Sequence, residues 1–191
     1  MAIFAVDLMN MVFISWLKDE EITAAVGYAG AVLFFTTAFG IGLSIAVSAH
    51  VARAVGMRDL ALARDKATSG LILGIGIGVV FSVVVWAALP QITGLLGAKG
   101  RTAELAVHFL RIVVPAQPFL MIGMIGGAIL RSHGDARRAM MATVWGAVVN
   151  AALDPVFIFT FDWGLTGAAW ASVASRVVIA GMALVPIWRH Y

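Results

Sequence analysis

Cysteine is absent from the 191 residues, and charge is scarce: Asp, Glu, Lys and Arg together make up 12%. Without a thiol there is no disulfide framework, no thiolate metal site and no cysteine nucleophile. A water-soluble domain carries about 25% charged residues, so the low charge argues against a soluble enzyme and against a disordered tail. With 13 basic against 10 acidic residues, scattered in short clusters, the chain also lacks the basic face that nucleic acid requires. The sequence has no HExxH, no GxSxG and no GxxxxGK[ST], so an enzyme, a resident cofactor and a nucleic-acid partner are not expected. What is present is apolar: 62% hydrophobic residues and a mean hydropathy of +0.99. The expected class is all-α, a polytopic transmembrane bundle in a lipid bilayer.

Six spans of about 20 residues would leave about 70 for loops. Charge-free runs cover Ile22 to Ala49, Ala67 to Ala98 and Ile112 to Leu130. Ala139 to Phe161 is interrupted only by Asn150 and Asp154, Trp163 to Trp188 only by Arg176, and Ile3 to Leu17 by Asp7 and Asn10. These predict spans near 1–17, 22–50, 67–90, 103–130, 138–161 and 164–188. The first would reach about 25 Å, short of a hydrocarbon core about 30 Å thick, so a first helix truncated at its start is expected. No repeat or low-complexity linker divides residues 1–191, which read as a single lobe.

Basic residues in short loops set orientation. Arg53, Arg58, Arg64 and Lys66 follow the second span, Arg131, Arg137 and Arg138 follow the fourth, and Arg189 lies in the tail. The opposite side has Lys18, Lys99 and Arg101, with Arg111 at the base of the fourth span. Both chain ends are therefore expected in the cytoplasm, with Gly134-Asp135 as a tight inner turn.

An ionisable group inside a bilayer costs a few kcal/mol and usually faces a cavity. Counting 1.5 Å per residue from the outer loops, Asp154, Ser172 and Asp7 lie about 12–16 Å deep, and Asn150 and Arg176 about 18–20 Å. Three helices thus place polar groups in one slab. Asn150 and Asp154 are four apart and share a helix face, as do Asp7 and Asn10 at a spacing of three. Pro155 has no N–H, so the Ala151 carbonyl loses its helical partner and a kink is expected there. Carboxylates, an amide, a hydroxyl and a freed carbonyl are hard oxygen ligands, suited to Na⁺ or a proton. Structural roles compete: Asp154 as a kink cap, Asn150 as helix-to-helix glue, Ser172 as packing, and Arg176 as a counter-ion for one acid or a snorkelling chain. Trp16, Trp163 and Trp188 read as interface anchors and His50 and His108 as interfacial. Gly70, Gly74 and Gly78, and Gly123 with Gly127, read as close helix packing.

Several stretches, taken in order, carry a family likeness. They are Val6-Asp7 with Ala24-Ala25-Val26-Gly27; Gly40-Ile41-Gly42-Leu43-Ser44 through His50-Val51-Ala52-Arg53-Ala54-Val55-Gly56; Leu95-Leu96-Gly97-Ala98; and Leu130-Arg131-Ser132-His133-Gly134-Asp135. The most specific is Val149-Asn150-Ala151-Ala152-Leu153-Asp154-Pro155, followed by Gly164-Leu165-Thr166-Gly167-Ala168-Ala169-Trp170-Ala171-Ser172. Together they resemble the amino-terminal lobe of the multidrug and toxic compound extrusion (MATE) transporters. The resemblance implies half of a twelve-helix, two-lobe transporter, with the second lobe absent from this chain. It implies antiport of cationic or amphipathic organic compounds, such as drugs, against H⁺ or Na⁺ across the inner (plasma) membrane. A helix-one Asp and a helix-five Asn and Asp form the family's cation or proton site in this lobe. These roles fall on Asp7, Asn150 and Asp154, with Ser172 in place of a helix-six hydroxyl that is usually Thr. Two departures stand out: Phe109 where some members have Tyr, and Ser15-Trp16-Leu17-Lys18-Asp19 in place of a Gly-Arg-Leu-Gly turn. A lipid-linked precursor flippase or polysaccharide exporter of related architecture, and a non-transporting membrane scaffold, are the alternatives.

Overall fold

The computed structural model of the chain describes residues 20–160 and 163–190. The first expected span, with Asp7, Asn10 and Trp16, lies outside them. The described chain is helical throughout its regular structure. α1 is Glu20–Gly56, α2 Leu60–Ala87, α3 Leu89–Leu95, α4 Gly100–Val113, α5 Gln117–Ser132, α6 Ala136–Pro155 and α7 Gly164–His190. Among the described residues, five helical stretches are long and apolar enough to cross a membrane, α4 and α5 together forming one. The protein is a multi-pass membrane protein.

Local sequence explains the boundaries. Asp59 caps α2 by accepting the Leu62 N–H at 2.9 Å, and Asp135 caps α6 by accepting the Arg138 N–H at 3.1 Å. Asp135 also pairs with the Arg138 guanidinium at 3.0 Å. Gly134, at φ +84°, closes α5 in the left-handed conformation that glycine tolerates. The expected tight turn at Gly134-Asp135 is present.

The fourth span departs from the single helix expected over 103–130. It breaks into α4, a 3₁₀ turn at Val114–Ala116, and α5. The cause is Pro115 and Pro118, which lack the N–H groups that would serve the Arg111 and Val114 carbonyls in an α-helix, leaving Val114 only a 3₁₀-type bond from the Gln117 N–H. Neighbouring side chains supply replacements. The Trp86 indole donates to the Arg111 carbonyl at 3.3 Å, and the Ser82 hydroxyl donates to the Val114 carbonyl at 2.6 Å. Gln117, buried just below, donates its amide to the hydroxyl of buried Thr36 on α1.

This broken span is the centre of the bundle. α5 packs against α1, α2, α6 and α7. Glycines allow the approach: a Cβ on Gly74 would strike Ile125, and one on Gly78 would lie 3.1 Å from the Met121 sulfur. Gly123 packs on Ile179 as expected. Gly127 does not serve this purpose, since a Cβ there meets only Arg131 of the same helix. Gly126 does so instead, facing Ala183 at 2.9 Å. One core cluster gathers Val32, Leu89, Phe109, Leu110, Ile158 and Leu165, and a second, toward the other end of the bundle, Val47, Val51, Ile125 and Ile129. Ile72, Leu73, Val80 and Val83 on α2 stay exposed, as a lipid-facing surface requires. Trp163 and Trp188, at opposite ends of the last span, are exposed.

Candidate functional site

α6 presents one buried face: Ala139, Ala142, Gly146, Asn150 and Asp154. The spacing of three and four is that of a helix stripe, and its C-terminal end is polar. Asn150 is 1% exposed and Asp154 0%. A carboxylate removed from solvent to that degree is held by hydrogen bonds and by a proton or cation that offsets its charge. The helical spacing puts both polar groups on the face that α7 covers.

Two contacts pin the antiparallel register of α6 and α7. The Ser175 hydroxyl donates to the Gly146 carbonyl at 2.8 Å. A Cβ on Gly167 would lie 2.6 Å from the Phe157 carbonyl oxygen. Between these points the register sets Asn150 level with Ser172, and Asp154 level with Ala168 and Ala169. Ala168, Ala169 and Ala171 are fully buried there, and their small side chains bring the two helices together. Ser172 is half-buried. Ser175, which sequence reasoning did not select, is buried and bonded to α6; its position one turn beyond Ser172 was the only signal.

Pro155 does not end the helix. The chain widens into a five-residue π turn, Val156–Thr160. The expected kink is therefore a change of helical pitch next to Asp154, a feature frequent at functional sites. The Trp163 N–H returns to the Phe157 carbonyl at 3.2 Å, so the π turn and the start of α7 are joined.

Arg176, four residues beyond Ser172, is half-buried and donates from Nη1 to the Val113 carbonyl at 3.3 Å. Its guanidinium thus reaches the break in the fourth span, where the Gln117 N–H bonds Val114. Phe109 lies in the first core cluster at 4% exposure, beside Ile158 and Leu165, and supplies no hydroxyl. His108 is exposed on α4, 3.1 Å from the Thr166 hydroxyl. Among the described residues no three His, Asp or Glu converge as a metal cluster. Oxygen donors here are the Asn150 amide, the Asp154 carboxylate and the Ser172 hydroxyl; Asp7 lies outside the described residues.

The sequence pattern of the MatE family matches residues 1–156. The multidrug export protein MepA of Staphylococcus aureus (strain bovine RF122 / ET3-1) is 25% identical over 173 residues, covering 91% of this chain and 38% of that protein. MepA of Staphylococcus saprophyticus is 26% identical over 171 residues, with 90% and 38% covered. Among solved structures, a MATE transporter in the bent conformation superposes with a TM-score of 0.93 at 34% identity, covering 97% of this chain and 41% of that one. A Pyrococcus furiosus MOP-superfamily transporter, described as having a binding pocket of reversed polarity that suggests a different function, gives 0.91 at 33% identity, with 98% and 41% covered. The chain spans about two fifths of the length of these relatives.

Proposed function

Because this chain belongs to the MatE family, we propose that it acts as the amino-terminal lobe of a multidrug exporter driven by H⁺ or Na⁺. The buried Asn150–Asp154 pair, facing α7, is the observation that carries the reading. An ionised acid buried within a membrane bundle is unfavourable unless a proton or cation offsets its charge, and that requirement is what couples ion entry to a rearrangement. In this reading Asp154 binds the coupling ion, Asn150 and Ser172 complete its oxygen shell, and Asp7 adds a second carboxylate. Arg176 ties the ion site to the broken fourth span. The π turn after Pro155 gives α6 a place to change pitch when the ion leaves.

The lobe superposes about equally on structures described as inward-facing, at TM-score 0.89, and outward-facing, at 0.91. That supports alternating access by rocking of one rigid lobe against another. The transported compounds are then organic cations or amphipathic drugs, held between this lobe and a second one. The membrane is the inner (plasma) membrane, and the basic inner loops orient both ends of this chain to the cytoplasm. One elementary charge moved across 100 mV supplies about 2.3 kcal/mol, equivalent to roughly fiftyfold accumulation.

A second reading is export of an anionic, lipid-linked or polysaccharide substrate. The reversed-polarity pocket described for the Pyrococcus transporter, on the same lobe fold, favours keeping it. Efflux of a cationic dye from cells expressing the full-length protein decides between them. Export by wild type that is lost in Asp154→Asn supports the multidrug reading; no export of any organic cation removes it.

A further inference from the structure

Arg101, Glu104, His108 and Arg111 follow one another on a single face of α4, at spacings of three, four and three. With Pro90 and Thr93 they line an outer cleft of about 650 Å³, within the size range of small-ligand sites. Their charges are not equivalent. Arg101 is paired with Glu21 of α1 at 3.0 Å. Among the described residues Arg111 has no carboxylate partner and Glu104 no cationic one, and both are exposed. The cleft therefore offers one cation and one anion, with the cation deeper.

Depth follows from helix length. Gly100–Ser132 is 33 residues, about 50 Å at 1.5 Å per residue. Centred on hydrocarbon about 30 Å thick, it protrudes by about 10 Å at each end. Arg111 then lies about 6 Å inside the outer hydrocarbon boundary and Glu104 about 4 Å outside it. An exposed guanidinium at that depth extends outward toward phosphate. The exposed Trp86, whose indole holds the Arg111 carbonyl, is at the level where aromatic rings meet headgroups.

We propose that this cleft binds an outer-leaflet phospholipid whose headgroup is a phosphate followed by a primary ammonium, with the phosphate on Arg111 and the ammonium on Glu104. The order of charges matches such a headgroup, whose phosphate lies nearer the bilayer core than its amine. An anionic headgroup satisfies Arg111 but meets Glu104 with like charge or none. A trimethylammonium headgroup has the charge but no N–H to donate to the carboxylate. Leu105 and Val107 supply apolar wall for the upper part of an acyl chain.

The test is native mass spectrometry of the purified protein after equilibration in vesicles holding equal amounts of phosphatidylethanolamine, phosphatidylcholine and phosphatidylglycerol. Phosphatidylethanolamine retained about fivefold over each competitor is expected, the ratio of one charge-assisted hydrogen bond. Glu104→Gln should erase the preference over phosphatidylcholine and phosphatidylglycerol, and Arg111→Gln should lower retention of all three. Equal retention by wild type, or an unchanged preference in Glu104→Gln, would overturn the proposal. So would displacement by soluble phosphoethanolamine at equal concentration, which would mark a site for a water-soluble phosphate. Arg111→Lys, which keeps the charge, should retain the selectivity.

Discussion

The Ser175 hydroxyl donates to the Gly146 carbonyl at 2.8 Å, one helical turn below Asn150 on the face that α7 covers. The bond is possible because Gly146 has no side chain: a Cβ there would strike Ile179. Gly146→Ala should therefore destabilise the lobe by about 1–3 kcal/mol through overpacking. Thermal unfolding in detergent measures it, and Ile179→Ala in the same chain should recover most of the loss. An unaffected unfolding midpoint in Gly146→Ala would mean that α6 and α7 are not in contact at this level.

The break in the fourth span predicts a conditional effect. Ser82→Ala leaves the Val114 carbonyl with only its Gln117 N–H donor and should cost about 0.5–1.5 kcal/mol. Pro118→Ala returns an N–H in helical position for that carbonyl. In a Pro118→Ala background the same Ser82→Ala change should cost under half as much. A double-mutant cycle on unfolding midpoints checks it, and strict additivity would show that Ser82 does not serve the carbonyl that Pro118 frees.

Arg101 and Glu21 show the opposite expectation. Their side chains remain 62% and 48% exposed, where water screens the attraction. Glu21→Gln should lower stability by less than about 1 kcal/mol, and the difference should shrink in high salt. Unfolding measured at low and high ionic strength distinguishes this from a pair that fixes the outer end of α1.

Much of the architecture was legible in hydropathy. Membrane burial forces long apolar runs, and the turn between α5 and α6 follows from Gly134-Asp135, whose chemistry is local. The Asn150–Asp154 pair was legible for the same reason, since a polar group in an apolar run stands out and a spacing of four shares a face. The break at Pro115 and Pro118 was not, because apolar composition continues through it and the replacement donors come from Ser82 and Trp86, about thirty residues away. Ser175 was missed on similar grounds: its partner is a main-chain carbonyl of another helix. Gly126 and Gly127 differ only in which neighbour each faces, which a spacing rule does not encode.

The central claim is that Asp154 couples ion binding to transport, and proteoliposomes containing the full-length protein measure it most directly. An imposed H⁺ or Na⁺ gradient should drive uptake of a cationic dye by wild type. Asp154→Asn should bind the dye within about threefold of wild type, a difference under 1 kcal/mol, yet show no response to either gradient. Gradient-driven uptake at the wild-type rate in Asp154→Asn would contradict the account.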